Sequence, residues 1–188
     1  MESEIISILD ESIKVKEKIK ELTPIIAKIS KKVVNAYKNK KKVVLFGNGG
    51  SAADAQHIAA EFIGKFYKER DSLPSLAFHT NTSVLTAIAN DFGYDLVFER
   101  QVSSFVEDGD VAIGISTSGN SPNVIKGLLK AKEKGAVTIG FTGEKPSKIE
   151  EIVDLCLKIP SSDTPRIQEG HITVGHIICY LVEKELFG

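Results

Sequence analysis

Apolar side chains recur every three or four positions through the first part of the chain, at Ile5, Ile6, Leu9, Ile13, Leu22, Ile25, Ile26, Ile29, Val33 and Tyr37, with charged residues between them. This is the spacing of a helix with one buried stripe, and it predicts helix from residue 3 to about residue 38. Pro24 falls inside that stretch and is expected to break or kink it. Lys38, Lys40, Lys41 and Lys42 crowd the C-terminal end. Cations there complement the helix dipole, so the cluster reads as a solvated helix end rather than a nucleic-acid patch.

Beyond residue 42 the pattern changes. Five short β-rich runs, VVLFG (43–47), SLAFH (75–79), DVAIGIS (110–116), AVTIGF (136–141) and DLCLKI (154–159), alternate with helical stretches, and the last segment, from about Arg166 to Phe187, is helical again. Alternation of this kind predicts a three-layer α/β fold, a five-stranded parallel sheet with helices on both faces. There is no internal repeat, and no Pro-, Gly- or Ser-rich linker divides the chain. The expectation is one domain over 1–188, with residues 1–40 as a helical arm and 41–188 as the α/β core. The arm's apolar stripe is longer than the sheet needs, so it is expected to pack in a symmetric oligomer.

With 42% apolar and 26% charged side chains in 188 residues, the chain is large enough to bury a continuous core. A net charge of −1 supplies no field to recruit nucleic acid or an anionic membrane, which leaves a small molecule or another protein as partner. Both cysteines, Cys156 and Cys179, lie in apolar runs and read as core thiols in a reducing compartment. The N-terminus begins with acids and lacks the basic and apolar regions of a secretion signal, and no apolar run approaches the roughly 20 residues of a membrane span. The protein is expected in the cytoplasm. Lysine outnumbers arginine 21 to 3, a bias compatible with genome composition or with a hot habitat.

Two strands end in turns suited to a ligand, because helix N-termini beyond the carboxyl ends of parallel strands present unpaired N–H groups. The turn 116–123, STSGNSPN, gathers Ser116, Thr117, Ser118, Asn120 and Ser121 around Gly119 without a single cation. That absence, with no G-K-[ST] ending, excludes a Walker-type nucleotide loop and favours one phosphate monoester. The same residue types also make ordinary turns and caps. In the other turn, GNGGS (47–51), Gly47, Gly49 and Ala52 match the G-x-G-x-x-[GA] dinucleotide pattern. The next strand, however, ends in His79 and Thr80 rather than an acid for the ribose, and Asp71 precedes both Pro74 and that strand. No nucleotide cofactor is expected, and Gly49 and Gly50 are read as letting a substrate touch backbone.

His57 and Glu61 follow at i and i+4, about 40° apart on one helix face. The alanines Ala52, Ala53, Ala55, Ala59 and Ala60 mark that helix as closely packed. On the last helix, Gln168 and His176 are separated by about 80° and roughly 12 Å of rise. His176 lies among Val174, Ile177 and Ile178, where a histidine taken alone reads as a satisfied core residue.

Taken together, GNGGSAADAQHIAAEFIGKF, ANDFGYDLVFERQV, ISTSGNSPNVIKGL and RIQEGHITVGHII resemble the phosphoheptose isomerases, which are built on a single sugar-isomerase (SIS) domain, and the resemblance runs over essentially the whole chain. It implies interconversion of D-sedoheptulose 7-phosphate and D-glycero-D-manno-heptose 7-phosphate through an enediol, at the start of activated-heptose synthesis for surface glycans such as lipopolysaccharide. It also implies a homotetramer with sites formed between subunits. Transferred motif by motif, it assigns Asn48, Gly49, Gly50, Ser51, Asn90 and Asp91 to the sugar, and Ser116, Thr117, Ser118 and Ser121 to the phosphate. Glu61 would be the general base and His176 its acid/base partner. In members that carry zinc, the positions matching His57, Glu61, Gln168 and His176 surround the metal, and Gln168 also meets substrate. The chain departs from the family pattern at Lys65, where arginine is frequent, and at Pro165, where aspartate is frequent. Two other readings stand beside this one: a non-catalytic SIS protein that binds the bacterial replication initiator, and an isomerase of another phosphosugar such as a pentose 5-phosphate.

Overall fold

The computed structural model describes all 188 residues. The chain begins with two helices, α1 (Glu2–Ile19) and α2 (Thr23–Lys38), joined by a 3-10 turn at Lys20–Leu22. Pro24 therefore breaks the predicted long helix, and it sits in the first turn of α2, where its missing N–H has no helical acceptor to serve. There follow β1 (Val43–Gly47), α3 (Gly50–Ile63), β2 (Ser75–Ala77), α4 (Thr82–Phe92), α5 (Val97–Phe105), β3 (Val111–Ile115), α6 (Pro122–Glu133), β4 (Val137–Thr142), α7 (Lys148–Ile152), β5 (Leu155–Lys158) and α8 (Thr164–Phe187).

All five strands are parallel, in the order β2-β1-β3-β4-β5. The three-layer α/β arrangement expected from the sequence is present, with differences at strand and helix ends. β2 stops at Ala77 instead of residue 79: Phe78 N–H still donates to Leu45 O, after which the chain turns through His79 toward Asn81, whose side chain caps α4. α8 starts two residues before Arg166, because Pro165 is accepted in a first helical turn.

The chain leaves β1 toward β2 on one side and resumes at β3 on the other, so the order reverses between β1 and β3. Their last paired residues are Gly47 and Ile115. Beyond this point a parallel sheet leaves a crevice. Both glycine-containing turns open there.

β1 is buried along its whole length, which places Leu45 in one core and Phe46 in the other. On one face Leu45, Ile113, Ile139 and Phe141 meet α2, α3 and α8 through Ile29, Val33, Ile58, Phe62, Val174 and Ile178. On the other, Phe46 stacks on Phe78 and Phe98, with ring centroids 6.1 and 5.1 Å away, above Val124 and Leu128 of α6. Cys179 is buried, Cys156 is partly buried, and both are free thiols. α1 is tied to α8 by Ser12 Oγ donating to Glu169 Oε2 at 2.7 Å and by Arg166 Nη1 donating to Ile8 O at 3.0 Å. Ile5, Ile6, Ile8, Leu9 and Ile13 of α1 are each more than half exposed. No helix is long and apolar enough to cross a membrane.

His171, inside α8, is fully buried and its Nε2–H donates to Thr142 O at 3.1 Å, leaving Nδ1 without a partner. Burial, opposed in part by that hydrogen bond, pushes its pKa down to about 4. The folded protein thus holds a neutral imidazole where the unfolded chain binds a proton below about 6.5. Stability should fall as pH drops from about 6.5 toward 4, because the unfolded state takes up the proton first. The melting temperature measured at pH 7 and at pH 5 should differ less in His171→Gln than in the wild type.

Candidate active site

Gly49 follows β1 in the left-handed region, with φ +57°, and Gly119 plays the same part in the second turn with φ +64°. A residue with a Cβ would be strained at either place. Between the turns, Asn48 and Asn123 exchange amide hydrogen bonds: each Nδ2 donates to the other's Oδ1 at 2.9 Å, and Tyr94 Oη donates to Asn48 Oδ1 at 3.1 Å. Asn48, assigned to the sugar from the sequence, therefore also ties the first turn to the helix after the second. Asn123 and Tyr94 were not picked out from the sequence. Nothing in their spacing distinguishes them from a helix-start residue and a surface aromatic.

In the second turn the hydroxyls converge. Ser116 Oγ lies 2.9 Å from Ser121 Oγ and 3.4 Å from Ser118 Oγ, while the N–H groups of Thr117, Ser118 and Ser121 have no protein partner. Ser121 is the N-cap of α6 and Pro122 opens that helix. Hydroxyls, free amides and a helix N-terminus on one spot suit an anion, with no cation in the turn itself. Thr117 and Ser118 also line a cavity of about 300 Å³ with Asn120, Glu144, Lys145 and Ser161. Ser51 is buried at the start of α3, whereas Asn90 and Asp91 are exposed at the end of α4, Asn90 Nδ2 donating to Asp91 Oδ1 at 2.8 Å.

The acid and the imidazoles come from α3 and α8. His57 Nε2 is 3.1 Å from Glu61 Oε1 and 3.3 Å from His176 Nε2, and the two imidazole rings are 4.8 Å apart at 73°. His176 is only partly buried, so the core-histidine reading taken from its apolar neighbours does not hold. Its ring instead faces His57 across the helix pair, and the buried histidine of α8 is His171. Glu61 is 24% exposed at its side chain, half as much as His57 at 49%.

Gln168 lies elsewhere. Its carboxamide rests on Gly50, so tightly that a Cβ on that glycine would collide with it. Gly50 meets Gln168 and His57 meets His176, so α3 and α8 run side by side in the same direction. They approach closely at Gly175, where a Cβ would press on Ile58 Cδ1 at 2.6 Å. Of the four positions that the resemblance places round a metal, three share one spot and Gln168 lies at the Gly49–Gly50 turn, roughly 12 Å earlier along α8.

The ligand atoms of His57, Glu61 and His176 all lie within 4.8 Å of one another. Two imidazoles and a carboxylate are a donor set that suits zinc, with open positions beyond the three. Asp54, one turn before His57, was also missed. Partial burial pushes its carboxyl up to about 6, an effect opposed by the charge on His57, and its Oδ2 is buried with no hydrogen-bond partner.

Comparison with known proteins places this site in context. Residues 9–143 match the SIS domain family. A phosphoheptose isomerase of Aneurinibacillus thermoaerophilus is 53% identical over 95% of this chain and 92% of its own. Another, from Clostridium acetobutylicum, is 58% identical over 83% of this chain and 80% of its own. The structure of a phosphoheptose isomerase from Neisseria gonorrhoeae superposes with a TM-score of 0.92 at 38% identity, covering 97% of this chain and 98% of that one. With its sheet, both turns and the acid–imidazole group in place, the chain belongs to the SIS-domain family and, within it, to the phosphoheptose isomerases.

Proposed function

We propose that this protein converts D-sedoheptulose 7-phosphate to D-glycero-D-manno-heptose 7-phosphate, the first step in making an activated heptose. The observation that carries this reading is the meeting of Glu61 and His176 around His57, on the helix that the bare turn at Gly49 and Gly50 opens. Moving a carbonyl from C2 to C1 requires a proton to leave C1, an enediol to form, and the proton to return at C2. Glu61 carries that proton, taking it from C1 and delivering it to C2. His176 exchanges protons with the two oxygens, so that the O2 that begins as carbonyl ends as hydroxyl and O1 the reverse. Ser116, Thr117, Ser118 and Ser121 hold the phosphate, and Asn48, Gly49, Gly50, Ser51, Asn90, Asp91 and Gln168 serve the sugar.

His57, Glu61 and His176 would hold a zinc ion; when bound, it would polarise the sugar's oxygens. A carboxylate held by a cation is a weaker base, so Glu61 serves best as proton carrier when its two oxygens are shared between the roles. A non-catalytic role is disfavoured because a binding module has no use for a carboxylate and an imidazole brought together where α3 packs on α8. The apolar stripe on α1, more than half exposed at five positions, supports a homotetramer assembled through the helical arm.

Purified protein given sedoheptulose 7-phosphate should form the aldose, and Glu61→Gln should lower kcat by at least about a hundredfold, with substrate affinity by calorimetry largely kept. Near wild-type turnover in that variant removes the base assignment. Metal analysis of the purified wild type should find zinc with the chain, and His176→Ala should lose it. Light scattering after gel filtration should give the mass of four chains for the wild type and a smaller species for Leu9→Lys combined with Ile13→Lys.

A further inference from the structure

Arg70 lies in the segment between α3 and β2, and Glu183 lies near the end of α8. Their side chains are 2% and 3% exposed, and Arg70 Nε donates to Glu183 Oε2 at 3.2 Å. The rest of the guanidinium faces α3: Nη2 donates to Glu61 O at 2.8 Å, and Nη1 donates to Phe62 O at 2.7 Å and Asp71 O at 2.9 Å. Glu61 O and Phe62 O are last-turn carbonyls that the helix itself leaves without donors. A cation at a helix C-terminus also complements the dipole. Arg70 thus caps α3 at the residue that supplies the acid.

Glu183 completes the arrangement from the other helix. Its carboxylate accepts the N–H groups of Phe66 at 3.0 Å, Tyr67 at 2.8 Å and Lys68 at 2.9 Å besides that of Arg70. Burial alone would push this carboxyl up. The three amides and the guanidinium outweigh it and hold the group below the usual glutamate range. These bonds draw segment 66–68 onto α8, where the Phe66 ring lies 5.8 Å from that of His176 and Tyr67 lies 5.9 Å from Tyr180. Glu183 follows His176 by seven residues, two turns along the same face of α8.

One buried ion pair therefore grips the backbone of Glu61, the loop that packs on His176, and the helix that carries His176. We infer that Arg70 and Glu183 are positioning residues, which fix α3 against α8 so that the carboxylate and the imidazole meet. The inference rests on the reading of Glu61 and His176 as the proton carriers. Misplacement by about 1 Å is enough to slow an enzyme about a hundredfold, whereas the phosphate turn, on a different strand and helix, is untouched. The effect should fall on kcat rather than KM.

The test uses full-length Glu183→Gln and Arg70→Lys, with kcat, KM and amide hydrogen exchange measured on each. The amides of Phe66, Tyr67 and Lys68 should exchange at least about tenfold faster while those of β1 and β3 stay protected, kcat should fall at least about tenfold, and KM for sedoheptulose 7-phosphate should stay within about threefold. Full kcat with the loop amides exposed overturns the inference, as does a loss of kcat accompanied by lost protection in β1 and β3. Arg70→Lys keeps the ion pair but loses the guanidinium bonds to Glu61 O and Phe62 O, and stands in if Glu183→Gln fails to fold; there kcat should again fall at least about tenfold with β1 and β3 protected, and full kcat overturns the inference. Glu61→Gln, run alongside, separates the two ideas. Inactive Glu61→Gln beside fully active Glu183→Gln removes the positioning role alone, and active Glu61→Gln removes the proton-carrier reading beneath it.

Discussion

The site depends on the parallel packing of α3 against α8. His57 and His176 are 119 residues apart in sequence, yet their Nε2 atoms are 3.3 Å apart. That requires the two helices to lie close and in a fixed axial register. Closeness comes from small residues: Ala55 and Ala59 are buried on α3, and Gly175 leaves space for Ile58. Axial register has two anchors, Gln168 over Gly50 at one end and Arg70 with Glu183 at the other. Hydrophobic contact alone is non-directional and would tolerate sliding by a fraction of a turn. Hydrogen-bonded charges buried at one end tolerate it far less.

Much of this fold was legible because its signals are local. A period of two or a continuous apolar run marks each strand, and the arm's stripe is a simple helical repeat. Strand ends were not legible, since β2 ends where His79 turns away to reach the Asn81 cap, and hydrophobicity carries no mark of that. In the site, residues held within one turn or one helix face were found from their spacing: Ser116 to Ser121, and His57 with Glu61. Those whose partners lie far along the chain were not. Glu183 in the sequence is one acid among several near the C-terminus, and Arg70 one cation in a lysine-rich loop; only the folded chain makes them a pair. His176 misled in the opposite direction. Its neighbours Val174 and Ile178 are buried in the core and Ile177 is exposed, while the histidine itself lies where α8 faces α3.

The two turns divide the work at the reversal of strand order. Asn48 and Asn123 share paired amides, so the backbone that a sugar would touch and the helix that would face its phosphate move as one body. This matters for a proton transfer between adjacent carbons, because the substrate has to be held at both ends for the carboxylate to reach each carbon in turn. A phosphate site of hydroxyls and amides, as proposed for the second turn, would suit that requirement. Its donors would be backbone amides or hydroxyls carried on Cβ, whereas a lysine would hold the same charge on a flexible stem.

The charge around His57 then defines what the group can bind. Along α3, Asp54, His57 and Glu61 occupy i, i+3 and i+7, so one imidazole stands between two carboxyls, with a second imidazole from α8. With both rings neutral, this spot has two negative charges in a partly buried setting and no lysine or arginine side chain bonded to either carboxylate. Such an arrangement attracts a cation or a proton. Burial already holds Asp54 near a pKa of about 6, where its proton is retained more readily than on a free carboxyl. Glu61, two turns further along α3 than Asp54, shares His57 with His176. On the proposed reading, a positive species held there would face the negative charge gathering on the oxygens of an enediol, the charge the reaction has to stabilise.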